Sequence, residues 1–167
     1  IPYSGVYKVV RSILGFDYLW NEVRVKGGAY GVMCAFPNTG EGYFVSYRDP
    51  NLARTNNVYK DVPQYLRNFE ADEREMTKYI IGTISSVDTP LTPKAKGSRS
   101  MAAYLTDVTE EDVQRERDEI LHATAEEIRG AAAMAEAVLS GGAICVLGNE
   151  GKVAESESMF QCVSTLA

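Results

Sequence analysis

The sequence predicts an α+β fold in which an antiparallel sheet packs against several helices. Three observations predict it. Apolar residues recur at helical spacing over residues 5–25 and over most of 55–140. Between these stretches, AYGVMCAF (29–36) and GYFVSYR (42–48) read as strands, joined by the turn-rich link PNTGE. Late in the chain, AICVLG (143–148) is a short, continuous, β-branched apolar run of the kind that fills a central strand.

Taken in order, Val9, Val10, Ile13 and Leu14 mark a first helix over residues 5–15, ended by Gly15. Asp17 is placed to cap a second helix with Leu19, Trp20 and Val23 on its apolar side, which Gly27 and Gly28 stop. In the hairpin, Tyr43, Val45 and Tyr47 alternate with Phe44 and Ser46, so the two faces differ, as in a sheet covered on one side. Val58, Val62, Tyr65, Leu66 and Phe69 form one helical stripe; Pro63 within it either kinks the helix or marks a first turn. A helix begins near Asp72, with Glu75 three residues on and Met76, Ile80, Ile84 and Val87 as its stripe. VDTPLTPKAKG (87–97) reads as a loop, followed by a short helix over 97–106. Thr109 caps a helix over 110–122, and Thr124 with Glu127 forms a capping box that opens another over 125–139. From Asn149 the pattern is a turn and a short helix.

The inventory holds a tension. A central strand at 143–148 needs neighbours on both sides, and the hairpin supplies one. The chain is therefore expected to be a piece of a domain whose further strands lie upstream of Ile1; the alternative is a complete domain with a three-stranded sheet.

Composition narrows the function classes. The chain has 167 residues, 45% of them apolar, which suits one soluble globular domain over 1–167. No apolar run is long enough for a membrane helix, and no basic, apolar leader is visible. A net charge of −6 with scattered Lys and Arg argues against nucleic acid as a partner. Cys34, Cys145 and Cys162 are odd in number and far apart, which predicts buried, reduced thiols rather than a disulfide framework. His122 is the one histidine, so no cluster with zinc-ligand spacing exists and no metal site is expected in this chain.

Most polar candidates have ordinary explanations. His122 and the Glu110, Glu111, Asp112 run sit where a helix dipole favours a cation and anions respectively. Cys34 lies among apolar neighbours with no base beside it. The glycine-containing pieces GFD, GGAYG and SGGAICVLGNEG lack the spacing that cradles phosphate. NEVRVKGGAYG (21–31) is different. One reading is a surface arginine, a helix stop and a strand start. The other is functional: two glycines let the backbone turn tightly and admit a neighbouring chain beside Gly28. Arg24 and Tyr30 then reach the same side, and a guanidinium fork with a phenol suits peptide carbonyls or a developing oxyanion.

The run DYLWNEVRVKGGAYG, followed by FVSYRDPNL, YLRNF, DEREMTKYIIGTIS, PLTPKAKG, RDEIL and LGNE, closely resembles the C-terminal region of the presequence-protease branch of the pitrilysin/insulinase superfamily. The likeness runs from about residue 5 to residue 150. It implies a large zinc metalloendopeptidase of two halves, each with two similar α+β domains, closing over an unfolded peptide. Zinc is held by an inverted HxxEH motif and a distal Glu in the N-terminal half, and this chain carries no HxxEH. The chain would be most of the fourth domain: chamber wall, inactive alone, with the N-terminal half and peptide substrates as partners. By resemblance, Tyr30 donates its hydroxyl to the scissile carbonyl oxygen and Arg24 holds the substrate backbone. The family domain begins with strands that this chain omits, so the exposed sheet edge of an isolated copy is expected to pair with a second copy, giving a homodimer, or to stay partly disordered. A bacterial cytosol is the expected compartment, with an organelle matrix as the alternative. The rival function is a non-catalytic scaffold or binding subunit of the same superfamily.

Overall fold

The computed structural model describes residues 1–165. Helix α1 (Val6–Ile13) runs on without a break through two π-helical stretches, Leu14–Tyr18 and Trp20–Val25. Strands β1 (Gly31–Ala35) and β2 (Tyr43–Tyr47) follow. The remaining regular elements are helical and include α2 (Leu52–Lys60), α3 (Val62–Arg67), α4 (Glu73–Val87), α5 (Pro93–Leu105), α6 (Glu110–Leu121), α7 (Ala125–Gly130), α8 (Ala132–Gly141) and α9 (Glu150–Ala154). The architecture is α+β, with an antiparallel two-stranded sheet.

Gly15 does not end the first helix, and Asp17 caps nothing. Ile13, Leu14, Leu19 and Val23 are all at 0% exposure. Leu19 follows Leu14 by five positions, so the wider π turn keeps both on the core side. Burying Leu19 and Val23 contributes about 1.5–3 kcal/mol each, more than the roughly 1 kcal/mol that a glycine costs in a helix. The Asp17 carboxylate instead accepts the Tyr79 hydroxyl from α4.

Helix α1 is the centre of the core, packing against α4, α6, α7 and β1. A polar strip ties its start to α6: Tyr3 and Lys8 engage Glu116, while Ser4 and the Gly5 amide engage Glu119. Three helices open with reciprocal capping boxes, Asp72/Glu75, Thr109/Asp112 and Thr124/Glu127. Pro63 sits in the first turn of α3, where its absent N–H costs nothing. The stretch read as one helix over 125–139 is two, α7 and α8, parted at Ala131. The loop after α4 is shorter than expected, because Thr92 accepts from the Ala95 amide and Pro93 opens α5.

In the hairpin, Gly31 pairs with Tyr47, Met33 with Val45 and Ala35 with Tyr43. One face is covered, and it is the face of Cys34, Phe44 and Ser46. Phe44 stacks on Tyr59 of α2 at 5.2 Å and meets Phe36 edge-on at 5.7 Å. Met33, Tyr43, Val45 and Tyr47 point outward and are exposed.

Residues 143–148 are not a central strand. They leave α8 without regular structure, and Leu147 is 82% exposed. A strand exists only by pairing, and the sheet among the described residues is the β1–β2 hairpin alone. Cys145 and Cys162 are correspondingly exposed, contrary to the expectation of buried thiols; Cys34 alone is buried.

Candidate functional site

The site is built where the long first helix meets β1. The Lys26 amide bonds back to the Asn21 carbonyl at 2.9 Å, closing the last π turn, and the Gly28 amide to the Arg24 carbonyl at 2.9 Å. Gly28 has φ +78°, a left-handed value that reverses the chain and that only glycine adopts freely. Asn51 Nδ2 donates to the Gly27 carbonyl at 2.6 Å, pinning the turn to the start of α2. The Tyr30 amide then donates to the Tyr47 carbonyl at 3.1 Å, so the sheet ladder begins one residue ahead of β1.

This turn brings Arg24 and Tyr30 together. The Arg24 guanidinium carbon lies 4.1 Å from the Trp20 ring centroid and 5.8 Å from that of Tyr30. Tyr30 is 63% exposed and meets Tyr47 edge-on at 5.9 Å. Arg24 is half-buried, and a cation over aromatic faces is held at modest cost in entropy. Gly28 is exposed beside them. The cluster can offer a phenolic O–H and guanidinium N–H donors to an oxygen acceptor at an open surface. A concave cleft of about 340 Å³ lies elsewhere, among Tyr3, Phe36, Gly40, Met134 and Val138.

Three members of the cluster were not singled out from the sequence: Trp20, Tyr47 and Arg48. Trp20 reads as an apolar helix residue, yet it is 41% exposed beneath Arg24. The Arg48 guanidinium carbon lies 5.4 Å from the Tyr47 centroid and 5.9 Å from that of Tyr30. The strand register carried the signal, because Gly31 opposite Tyr47 sets Tyr30 beside residues 47 and 48.

The other polar candidates stay apart from this cluster. His122 ends α6, its Nδ1 donating to the Asp118 carbonyl at 2.8 Å. Glu110, Glu111 and Asp112 occupy the first turn of that helix, and the Thr109 and Arg115 contacts hold the Asp112 carboxyl below its usual range. Burial pushes the Cys34 thiol up to about 12, far from a nucleophile's range. Among the described residues no group of three or more His, Cys, Asp or Glu converges to hold a metal ion. No helix among them is long and apolar enough to cross a membrane.

Comparison with known proteins places the chain. It is 51% identical over 164 residues to protein HypA of Clostridium perfringens, covering 98% of this chain and 17% of that protein. It is 43% identical over 119 residues to presequence protease 1, chloroplastic/mitochondrial, of Arabidopsis thaliana, covering 71% of this chain and 11% of the relative. It is 34% identical over 158 residues to the mitochondrial presequence protease of Emericella nidulans, covering 92% and 14%. The chain thus spans less than a fifth of the length of these relatives. A family model described as the PreP C-terminal domain matches residues 3–148. With that match over most of its length, the chain belongs to the PreP C-terminal domain family and is the C-terminal domain of a presequence-protease-type protein.

Proposed function

We propose that this chain is the non-metal C-terminal part of a zinc-dependent metalloendopeptidase that degrades unfolded peptides in a closed chamber. The observation that carries the reading is the Arg24–Tyr30 pair, a guanidinium 5.8 Å from an exposed phenol ring on one rim. Family membership and the protease names of the Arabidopsis and Emericella relatives support it.

In this reading the chain lines the chamber and acts with the N-terminal half of the same polypeptide. The metal belongs to that half; the described residues of this chain offer no ligand cluster for it. Tyr30 donates its hydroxyl to the scissile carbonyl oxygen as charge gathers there. Arg24, braced on Trp20, donates to the substrate backbone and keeps the peptide extended across the rim. Gly28, with no side chain, leaves room for the peptide to pass beside the turn. The exposed hairpin face of Met33, Tyr43, Val45 and Tyr47 supplies apolar wall. The compartment in this reading is a bacterial cytosol, with an organelle matrix as the alternative; the relatives include a protein of the bacterium Clostridium perfringens and mitochondrial presequence proteases.

The test is Tyr30→Phe in the full-length polypeptide, assayed on short unstructured peptides. We expect kcat to fall about 10²–10³-fold with KM nearly unchanged, the cost of one oxyanion donor. An unchanged rate overturns the catalytic role and leaves the chain a scaffold.

A further inference from the structure

β2 ends on a residue in an uncommon conformation. Arg48 has φ +48°, in the left-handed region that costs a non-glycine residue free energy. The turn separates two adjacent charges. Asp49 goes inward, where its Oδ1 accepts the Asn51 amide at 2.9 Å and its Oδ2 is buried. Arg48 goes outward, its guanidinium carbon 5.4 Å from the Tyr47 centroid and 5.9 Å from that of Tyr30. Arg24 stands 5.8 Å from that same Tyr30 centroid.

Two guanidinium groups thus share one exposed phenol. The ion pairs among the described residues involve Lys8, Lys26, Arg54, Arg67, Arg115, Arg117 and Lys152, and neither Arg24 nor Arg48. In a chain of net charge −6, two neighbouring arginines without a carboxylate are a local concentration of unspent positive charge. Strained backbone tends to mark sites where a side chain must be aimed. A planar fork held over aromatic faces suits a carboxylate, which it can engage through two parallel N–H···O bonds.

We propose that Arg48 is a substrate-binding residue that recognises a carboxylate of the bound peptide, giving this site a preference for peptides with an acidic group close to the cleaved bond. The inference rests on the peptidase reading above. Arg24 stays with the peptide backbone, and Arg48, 5.9 Å from the same Tyr30 ring centroid, reads the anionic group. The carboxylate has two sources, an Asp or Glu side chain or the free C-terminus of a short peptide.

The experiment uses the full-length polypeptide and four versions of one short peptide: Asp or Asn beside the cleaved bond, each with a free or an amidated C-terminus. Wild type should favour the carboxylate-bearing versions. Arg48→Gly should reduce that preference about tenfold, mainly through KM, which is the scale of one charge-assisted hydrogen bond. Loss of the Asp-over-Asn preference identifies the side chain, and loss of the free-over-amidated preference identifies the terminus. Arg48→Lys should restore part of the preference. Glycine adopts φ +48° freely, so Arg48→Gly should fold with an equal or higher thermal midpoint. A preference unchanged in Arg48→Gly, or no preference in wild type, overturns the proposal while the peptidase reading stands. No cleavage of any version by wild type overturns both.

Discussion

The guanidinium of Arg54 occupies the space that a side chain at position 27 would need. Arg54 Nη1 donates to the Glu22 carbonyl at 2.8 Å, and a Cβ on Gly27 would lie 2.6 Å from that nitrogen and 2.4 Å from the Val23 carbonyl oxygen. The helix end that carries Arg24 is thus locked by an arginine from α2 and by the absence of a side chain. Gly27→Ala should destabilise the domain by about 1–3 kcal/mol in chemical denaturation. The loss should persist in an Arg54→Ala background, because the Val23 carbonyl is backbone and cannot swing away. Full rescue by Arg54→Ala would show that the side-chain clash alone matters.

Gly28 makes a different demand. Its φ of +78° strains any side chain, though the space around it is open, with Pro50 Cγ at 3.7 Å as the neighbour. Gly28→Ala should cost about 1–2 kcal/mol, and Gly28→Asn less. In the peptidase reading both should also lower kcat/KM, since the turn aims Tyr30.

Arg24 tests fork against charge. Arg24→Lys keeps a cation but loses the planar group that stacks on Trp20. In the peptidase reading, Arg24→Lys in the full-length polypeptide should recover less than a tenth of the kcat/KM lost in Arg24→Ala. Near-complete recovery would mean that a point charge suffices and that the stack is incidental.

Alkali should unfold the domain over a defined window. Burial pushes Tyr18, Tyr59 and Cys34 up to about 12 from ordinary values of 10.0, 10.0 and 9.0. The fold therefore favours their neutral forms. Their contribution is complete below about pH 9 for the thiol and pH 10 for the phenols, and is lost as pH rises through 12. Denaturation midpoints should be flat from pH 7 to 9 and fall steeply above 10. Cys34→Ser should remove the earliest part of that fall.

Thiol accessibility checks the packing and the association of the isolated chain. Cys145 and Cys162 should react promptly with an aromatic disulfide reagent, and Cys34 only on unfolding. The hairpin has an unpaired outer edge on each strand and an exposed apolar face. Sedimentation of the isolated chain should show a concentration-dependent dimer, weakened by Val45→Lys.

Local chemistry made much of the fold legible. Asp72, Thr109 and Thr124 announce their helices because each capping pair is complete within four residues. The hairpin was equally plain from alternation and its turn. What failed depends on distant partners. Gly15 reads as a stop until the segment carrying Leu19 and Val23 is known to pack on β1 and α2, and a π turn has no sequence signature of its own. AICVLG reads as a strand because apolar content is visible in a sequence and hydrogen-bond partners are not. Within the site, Arg24, Gly28 and Tyr30 stood out through the double glycine and the family resemblance. Arg48 and Tyr47 did not, because their approach to Tyr30 is set by strand register.

The polar strip between residues 3–8 and Glu116 and Glu119 has a consequence for biosynthesis. Its bonds join positions more than a hundred apart in the chain, as in Tyr3 to Glu116, a separation of 113. During translation the apolar stripe Val9, Val10, Ile13, Leu14 emerges long before the segment that covers it. At 5–20 residues per second the wait is roughly 5–20 s. For that interval the nascent chain presents an amphipathic helix whose native cover is incomplete, since β1 and α4 emerge before α6 and α7, the kind of segment that ribosome-associated chaperones hold.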